Sequence, residues 1–168
     1  MKYKILKRQY NSRNCFICGL ENDFGLKTAF YETDTDELIA VFTPDMKHQS
    51  YPNILHGGIS SAIMDETIGR AICMHHGQMV WGVTMELKMK YRKPVPYGVE
   101  LKAIGHITKD NGRIFEGTGE IYLPDGEIAV EAEGLYMKRQ ISQIADEKFV
   151  DSEWGFTVEN EVVTEIEI

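Results

Sequence analysis

Residues 56–75 read His-Gly-Gly-Ile-Ser-Ser-Ala-Ile-Met-Asp-Glu-Thr-Ile-Gly-Arg-Ala-Ile-Cys-Met-His. The run predicts one helix, and Ile59, Ala62, Ile63, Met64, Ile68, Ala71, Ile72 and Met74 spread around its axis instead of forming one stripe. A helix that is apolar nearly all round is enclosed on most sides. Strand signals surround it. Two strands are expected over 26–32 and 37–43, around the polar turn 33–36, followed by a polar loop over 44–52. After the helix comes a long β-like run, 81–92, ended by Lys93-Pro94-Val95-Pro96-Tyr97-Gly98. Three more strands are expected near 99–109, 113–123 and 127–139, with Asp110-Asn111-Gly112 and Pro124-Asp125-Gly126 as turn signals between them. Strands, one helix, then more strands make an α+β chain, not an alternating βαβ one. The economical architecture is a curved antiparallel β-sheet wrapped around one long central helix.

Asp65 and Glu66 stand in the middle of that enclosed run, where an unpaired charge is costly. Glu66 has Arg70 four residues on, the favoured orientation for a helical ion pair. Asp65 shares its stripe with Gly58, Ser61, Ala62, Ile68, Gly69 and Ile72, mostly small residues and no base. Two readings stay open: space above the carboxylate for a ligand, or a bond to Ser61 or to another element. Gly57 and Gly58 stand at the helix start, where N–H groups lack intrahelical partners and the dipole is positive. Without side chains there, a phosphate or the oxyanion of an acyl transfer reaches the backbone; an ordinary tight turn reads the same way. Asp65 lies about 10 Å along the axis from Gly58, at 1.5 Å per residue. One helix cannot bring both to one carbonyl. The spacing therefore predicts a site shared by two chains, one giving the helix start and the other the Asp.

The chain has 168 residues, 43% hydrophobic and 26% charged, which fits one folded domain and excludes wholesale disorder. No apolar run approaches the ~18–20 residues of a membrane span, and the basic first residues lack the apolar core of a signal peptide. Three cysteines, an odd number, predict a reducing cytoplasm. Cys15-Phe-Ile-Cys18 has the spacing of half a zinc site, but no second CxxC follows, and a redox CxxC would open a helix. It is read as structural, with no metal and no cofactor expected. Residues 141–168 hold eight acids and one base, so the net charge of −8 belongs almost entirely to them. The near-neutral remainder offers no basic face for nucleic acid. Residues 1–13 carry Lys2, Lys4, Lys7, Arg8 and Arg13 with no acid, and read as a solvated arm. Phe149, Trp154, Phe156, Val158, Val162 and Val163 make the tail too apolar for a disordered acidic string. The expected organisation is a basic arm over 1–14, one domain over 15–140 and an acidic tail over 141–168.

Leu55-His56-Gly57-Gly58 followed by Asp65, nine residues after the His, resembles the signature of hotdog-fold acyl-CoA thioesterases, nearest the phenylacetic-acid-pathway (PaaI-type) subgroup. The resemblance covers about residues 14–138 and includes Cys15-Phe-Ile-Cys18-Gly19-Leu-Glu-Asn22, Gly25-Leu26, Gly82-Val83-Thr84 and Tyr91-Arg92-Lys93-Pro94-Val95. It implies a hotdog fold and hydrolysis of an acyl-CoA in a homodimer or homotetramer. It implies that Asp65 is the catalytic carboxylate, as nucleophile or as general base on water. The Gly57 N–H would polarise the thioester carbonyl beside Gly58. His56 would position substrate or hold the loop, and the Thr84 hydroxyl would lie near the attacking water. Many members of the subgroup carry Asn six residues before the His, in contact with the thioester; here that position is Ser50, preceded by Gln49. CoA phosphates call for bases, and Lys90, Arg92 and Lys93 lie together after the long strand, with a solvated charged face as the alternative. Met64, Ile68 and Ile72 are candidates for an acyl pocket, or plain core. Hydration or dehydration of hydroxyacyl thioesters would need a different His–acid motif. A non-catalytic acyl-CoA sensor or carrier is the alternative from another class.

Overall fold

The computed structural model describes residues 1–146, 148–157 and 162–168. Their strands are β1 (Lys2–Arg8), β2 (Asn11–Ser12), β3 (Ala29–Thr33), β4 (Leu38–Phe42), β5 (Gln49–Tyr51), β6 (Ile54–Leu55), β7 (Val80–Tyr91), β8 (Leu101–Asn111), β9 (Ile114–Tyr122), β10 (Ile128–Gln140), β11 (Trp154–Phe156) and β12 (Glu165–Glu167). The helices are α1 (Gly57–His76) and the short α2 (Lys148–Ser152). Eight strands form one antiparallel sheet in the order β12-β1-β3-β4-β8-β9-β10-β7. α1 packs against β4, β7, β8, β9 and β10. Its Ile63, Met64, Ile68, Ala71 and Ile72 are 0% exposed. The chain is α+β, a large antiparallel sheet around one long central helix, the hotdog arrangement.

Where the sheet comes nearest the helix, side chains are missing. A Cβ on Gly119 of β9 would sit 2.5 Å from Met64 Cε, and one on Gly82 of β7 would sit 2.5 Å from the Phe115 ring. Substitution at either would force backbone or buried rings apart. The helix starts at Gly57 because His56 caps it: the imidazole Nδ1 accepts the Gly58 N–H at 2.9 Å. It stops at Gly77, whose φ of 78° suits glycine and whose N–H bonds the Cys73 carbonyl at 2.8 Å.

Three expectations need correction. The basic N-terminal run is not a solvated arm, since Lys2–Arg8 is a strand of the main sheet with Tyr3 buried. Tyr3 and Ile5 alternate with Lys2 and Lys4, a period of two that a count of charges hides. Its partner is the end of the acidic tail: Lys2 lies opposite Glu167 and Lys4 opposite Glu165, and Lys2 Nζ pairs with Glu165 at 2.6 Å. The two charge excesses thus face each other across one strand pair. The strand expected over 26–32 begins three residues late because Lys27 takes a φ of 50° and the flanking N–H groups of Leu26 and Thr28 bond back to Phe16 and Ile17. The polar loop over 44–52 contains a 3₁₀ turn, Met46–His48, and β5.

Part of the tail lies on the body, a point the sequence left open. Trp154 is 7% exposed, its ring 4.8 Å from that of Trp81, and Phe149 meets Trp81 at 5.6 Å. Replacing Trp154 by Ala empties that contact and is expected to cost about 3 kcal/mol, the low end for removing a buried Trp, measured as a shift of the urea midpoint.

Candidate active site

The middle of α1, the start of β7, the Cys15–Cys18 turn and the α2–β11 segment enclose a cavity of about 370 Å³. Asp65 and Glu66 both line it, but they are used differently. Glu66 Oε1 pairs with Arg70 Nε at 2.8 Å, as the spacing predicts. Glu66 Oε2 accepts from the Cys15 thiol at 3.3 Å. Asp65 Oδ1 accepts from Thr84 Oγ1 at 2.7 Å, and among the described residues no cation pairs with this carboxylate. Ser61, the alternative partner, is turned away and bonds the Gly57 carbonyl at 3.2 Å and the Tyr91 hydroxyl at 2.7 Å.

Thr84 reaches Asp65 because β7 is bulged. Leu135 of β10 lies opposite Glu86 and Tyr136 opposite Thr84, so Met85 has no partner and the register slips by one. Leu87 and Met89 pack on the core beyond the bulge, and Gly82 and Thr84 face the helix before it. A bulge re-aims side chains in this way beside many active sites. On the other side, Tyr136 donates its hydroxyl to the Asp65 main-chain carbonyl at 3.2 Å. Burial, and then the Asp65 carboxylate, pushes that hydroxyl well above its ordinary value, so it remains a donor.

The helix start forms a separate group. Gly58 offers no free N–H, because His56 Nδ1 has taken it. The Gly57 N–H has no acceptor among the described residues. Tyr91 locks this turn by donating to the Gly57 carbonyl at 2.9 Å. Ser50 Oγ donates weakly to the Ile54 carbonyl at 3.4 Å, and Gln49 Oε1 accepts from Tyr97 at 2.9 Å. None of residues 50–58 lines the Asp65 cavity.

The bases form a third group. Lys90 lies opposite Glu131 in the β7–β10 register, Arg92 pairs with Glu131 at 2.6 Å, and Lys93 pairs with Glu127. Met64, Ile68 and Ile72 are fully buried and do not line the cavity, so of their two readings they follow plain core. Its apolar wall comes instead from Trp81, Phe149 and Trp154. The tail aromatics had signalled packing in the sequence, but not where they pack. Tyr136 went unnoticed, and Tyr91 was quoted only within a strand motif and given no role, because a tyrosine in a strand reads first as a β-former.

Residues 52–130 match the thioesterase superfamily. The matched stretch carries His56, Gly57, Asp65 and Thr84 and stops short of the Cys15–Cys18 turn and the tail. Acyl-coenzyme A thioesterase THEM4 of Rattus norvegicus is 27% identical over 108 residues, 64% of this chain and 45% of its own. The match thus spans less than half of that relative. Among solved structures, a thioesterase superfamily protein aligns with a TM-score of 0.68 at 26% identity, covering 74% of this chain and 63% of its own. A thioesterase of Haemophilus influenzae aligns with a TM-score of 0.62 over 69% of this chain and 80% of its own; at 16% identity the likeness is one of fold alone.

Proposed function

We propose that this chain is an acyl-CoA thioesterase, cleaving the thioester to a free acid and CoA, with Asp65 as its catalytic carboxylate. The observation that carries the reading is a carboxylate with one oxygen held by Thr84 at 2.7 Å, unpaired with any cation among the described residues, on the wall of a cavity of about 370 Å³. A carboxylate so fixed serves as base toward a water, or attacks the carbonyl itself. The superfamily match and the rat acyl-CoA thioesterase support the substrate class, and the spacing from His56 to Asp65 supports the PaaI-type subgroup.

A second copy of the chain completes the site. β7 is a twelve-residue edge strand with Val83, Met85 and Tyr91 exposed, an open rim that calls for a partner. The separation of residues 50–58 from the Asp65 cavity supports a helix start supplied by the other copy in a homodimer or homotetramer. There the Gly57 N–H and helix dipole take up the negative charge that develops on the carbonyl oxygen. Asp65 takes a proton from water, the water oxygen bonds the carbonyl carbon, the C–S bond breaks and the CoA sulfur leaves as thiolate. His56 holds the turn, with Gly58 and Ser50 beside the acyl group. Lys90, Arg92 and Lys93 meet the CoA phosphates, which displace Glu131 and Glu127 from their present pairs. Three free thiols support a reducing, cytoplasmic setting, and among the described residues no helix is long and apolar enough to cross a membrane.

The test is CoA release from short, medium, long and aromatic acyl-CoAs, with wild type beside Thr84→Val and Thr84→Ser. Losing a hydrogen bond to a charged group is worth ~1.5–3 kcal/mol, so Thr84→Val lowers kcat roughly 10–100-fold while Thr84→Ser keeps most of it. Binding of acyl-CoA without release from any ester would replace this reading with a non-catalytic carrier.

A further inference from the structure

The Cys15-Phe16-Ile17-Cys18 turn forms part of the cavity wall, and the thioester chemistry does not use it. The Gly19 N–H bonds the Cys15 carbonyl at 2.8 Å, closing one helix-like turn that sets side chains three apart on the same side. Both sulfurs and a Glu66 carboxylate oxygen lie within 4.8 Å of one another. The two thiols are unequal. Cys15 is half-buried, whereas Cys18 is 1% exposed. Cys15 Sγ receives the Ile17 N–H at 3.3 Å, and Glu66 Oε2, at 3.3 Å, is an acceptor ready for its proton. Cys18 Sγ receives an Arg70 N–H at 3.0 Å.

We propose that Cys15 and Cys18 are a reactive dithiol that hydrogen peroxide closes to a reversible intramolecular disulfide, with Cys15 the attacking sulfur and Cys18 the resolving one. The Cys15 thiolate attacks one peroxide oxygen, the O–O bond breaks, and the hydroxide that leaves takes a proton to become water. Cys15 is then a sulfenic acid. The Cys18 sulfur attacks it, the S–S bond forms, the S–O bond breaks, and a second water leaves with the Cys18 proton. Two thiols lose two electrons and one peroxide gains them. The ionisation directions agree with the geometry. The S–H of Cys18, with help from backbone N–H groups, draws Cys15 below an ordinary thiol against burial and the negative charge of Glu66. That same bond, and burial after it, pushes Cys18 up.

A zinc ion on Cys15, Cys18 and Glu66 is the competing use of these atoms. Arg70 argues against it, because its guanidinium already bonds Glu66 Oε1 and Cys18 Sγ, and an added dication would meet a fixed cation. The experiment treats the full chain with peroxide, traps free thiols with iodoacetamide and maps the peptides by mass. One disulfide joining Cys15 to Cys18 is expected, undone by dithiothreitol. Cys73, whose thiol burial raises to about 11, stays free. In the untreated protein Cys15 alkylates roughly tenfold or more faster than Cys73, as thiolate character and access dictate. Cys18→Ser stops at a sulfenic acid on Cys15, trapped by dimedone, and Cys15→Ser leaves Cys18 unmodified. A structural role moves none of these readouts, and none depends on thioester hydrolysis. Equal alkylation of Cys15 and Cys73, a disulfide to Cys73, or stoichiometric zinc that Cys15→Ser abolishes would each overturn the proposal.

Discussion

Asp65→Asn is expected to lower kcat for CoA release by roughly 10²–10⁴-fold, the range that a positioned general base contributes, while acyl-CoA still binds. The change is nearly isosteric. The amide oxygen keeps the Thr84 hydrogen bond, and Tyr136 bonds the main chain, which the substitution does not touch. The fold should therefore survive, and the urea midpoint of the variant checks that it does. Glu66 is the obvious substitute carboxylate, but both of its oxygens are engaged, one by Arg70 and one by the Cys15 thiol. Each oxygen keeps a free lone pair, but protonating Glu66 would weaken its ion pair with Arg70, so it is the poorer base. Calorimetric binding of the ester beside kcat and KM separates lost chemistry from lost binding. Turnover equal to that of wild type would mean that the acting carboxylate is elsewhere.

What was legible in the sequence follows from the range of each signal. The central helix is a local pattern, so its ends fall within one residue of expectation, from His56 as the cap to Gly77 as the stop. The Glu66–Arg70 pair is local too, four residues apart on one helix. The Asp65–Thr84 contact joins two elements, and only the family resemblance pointed to it. Its physical cause, the unpaired Met85 in β7, has no local mark, because a bulge exists only against the strand opposite. The N-terminal strand was misread for a related reason. It was weighed by its own net charge, while its pairing with the end of the tail, Lys2 and Lys4 against Glu167 and Glu165, spans nearly the whole chain. Trp154 reaches the cavity by an equally long route. Distance along the chain, more than residue chemistry, separates what could be read from what could not.

Arg70 is where those long routes meet, and Arg70→Leu is expected to cost about 3–5 kcal/mol, the range for breaking one side of a buried ion pair. The guanidinium is 11% exposed and Glu66 20%. It bonds the Tyr10 carbonyl at 2.9 Å and the Cys18 sulfur at 3.0 Å, and it lies over the rings of Phe30 at 4.4 Å and Trp154 at 4.9 Å. One cation thus ties the helix to the N-terminal segment, the Cys15–Cys18 turn and the tail. Leucine keeps much of the volume, so the loss reads the stranded Glu66 carboxylate and the orphaned carbonyl more than a cavity. The double variant Glu66→Leu with Arg70→Leu removes the stranded charge and should regain a large part of the loss, since apolar replacement of a buried pair is often neutral. Urea unfolding of wild type, both single variants and the double variant closes the cycle. A loss under about 1 kcal/mol for Arg70→Leu would mean that water reaches Glu66 well enough to do without the cation, as at a surface pair. The cavity floor would then be held by the aromatic contacts among Trp81, Phe149 and Trp154 instead of by charge.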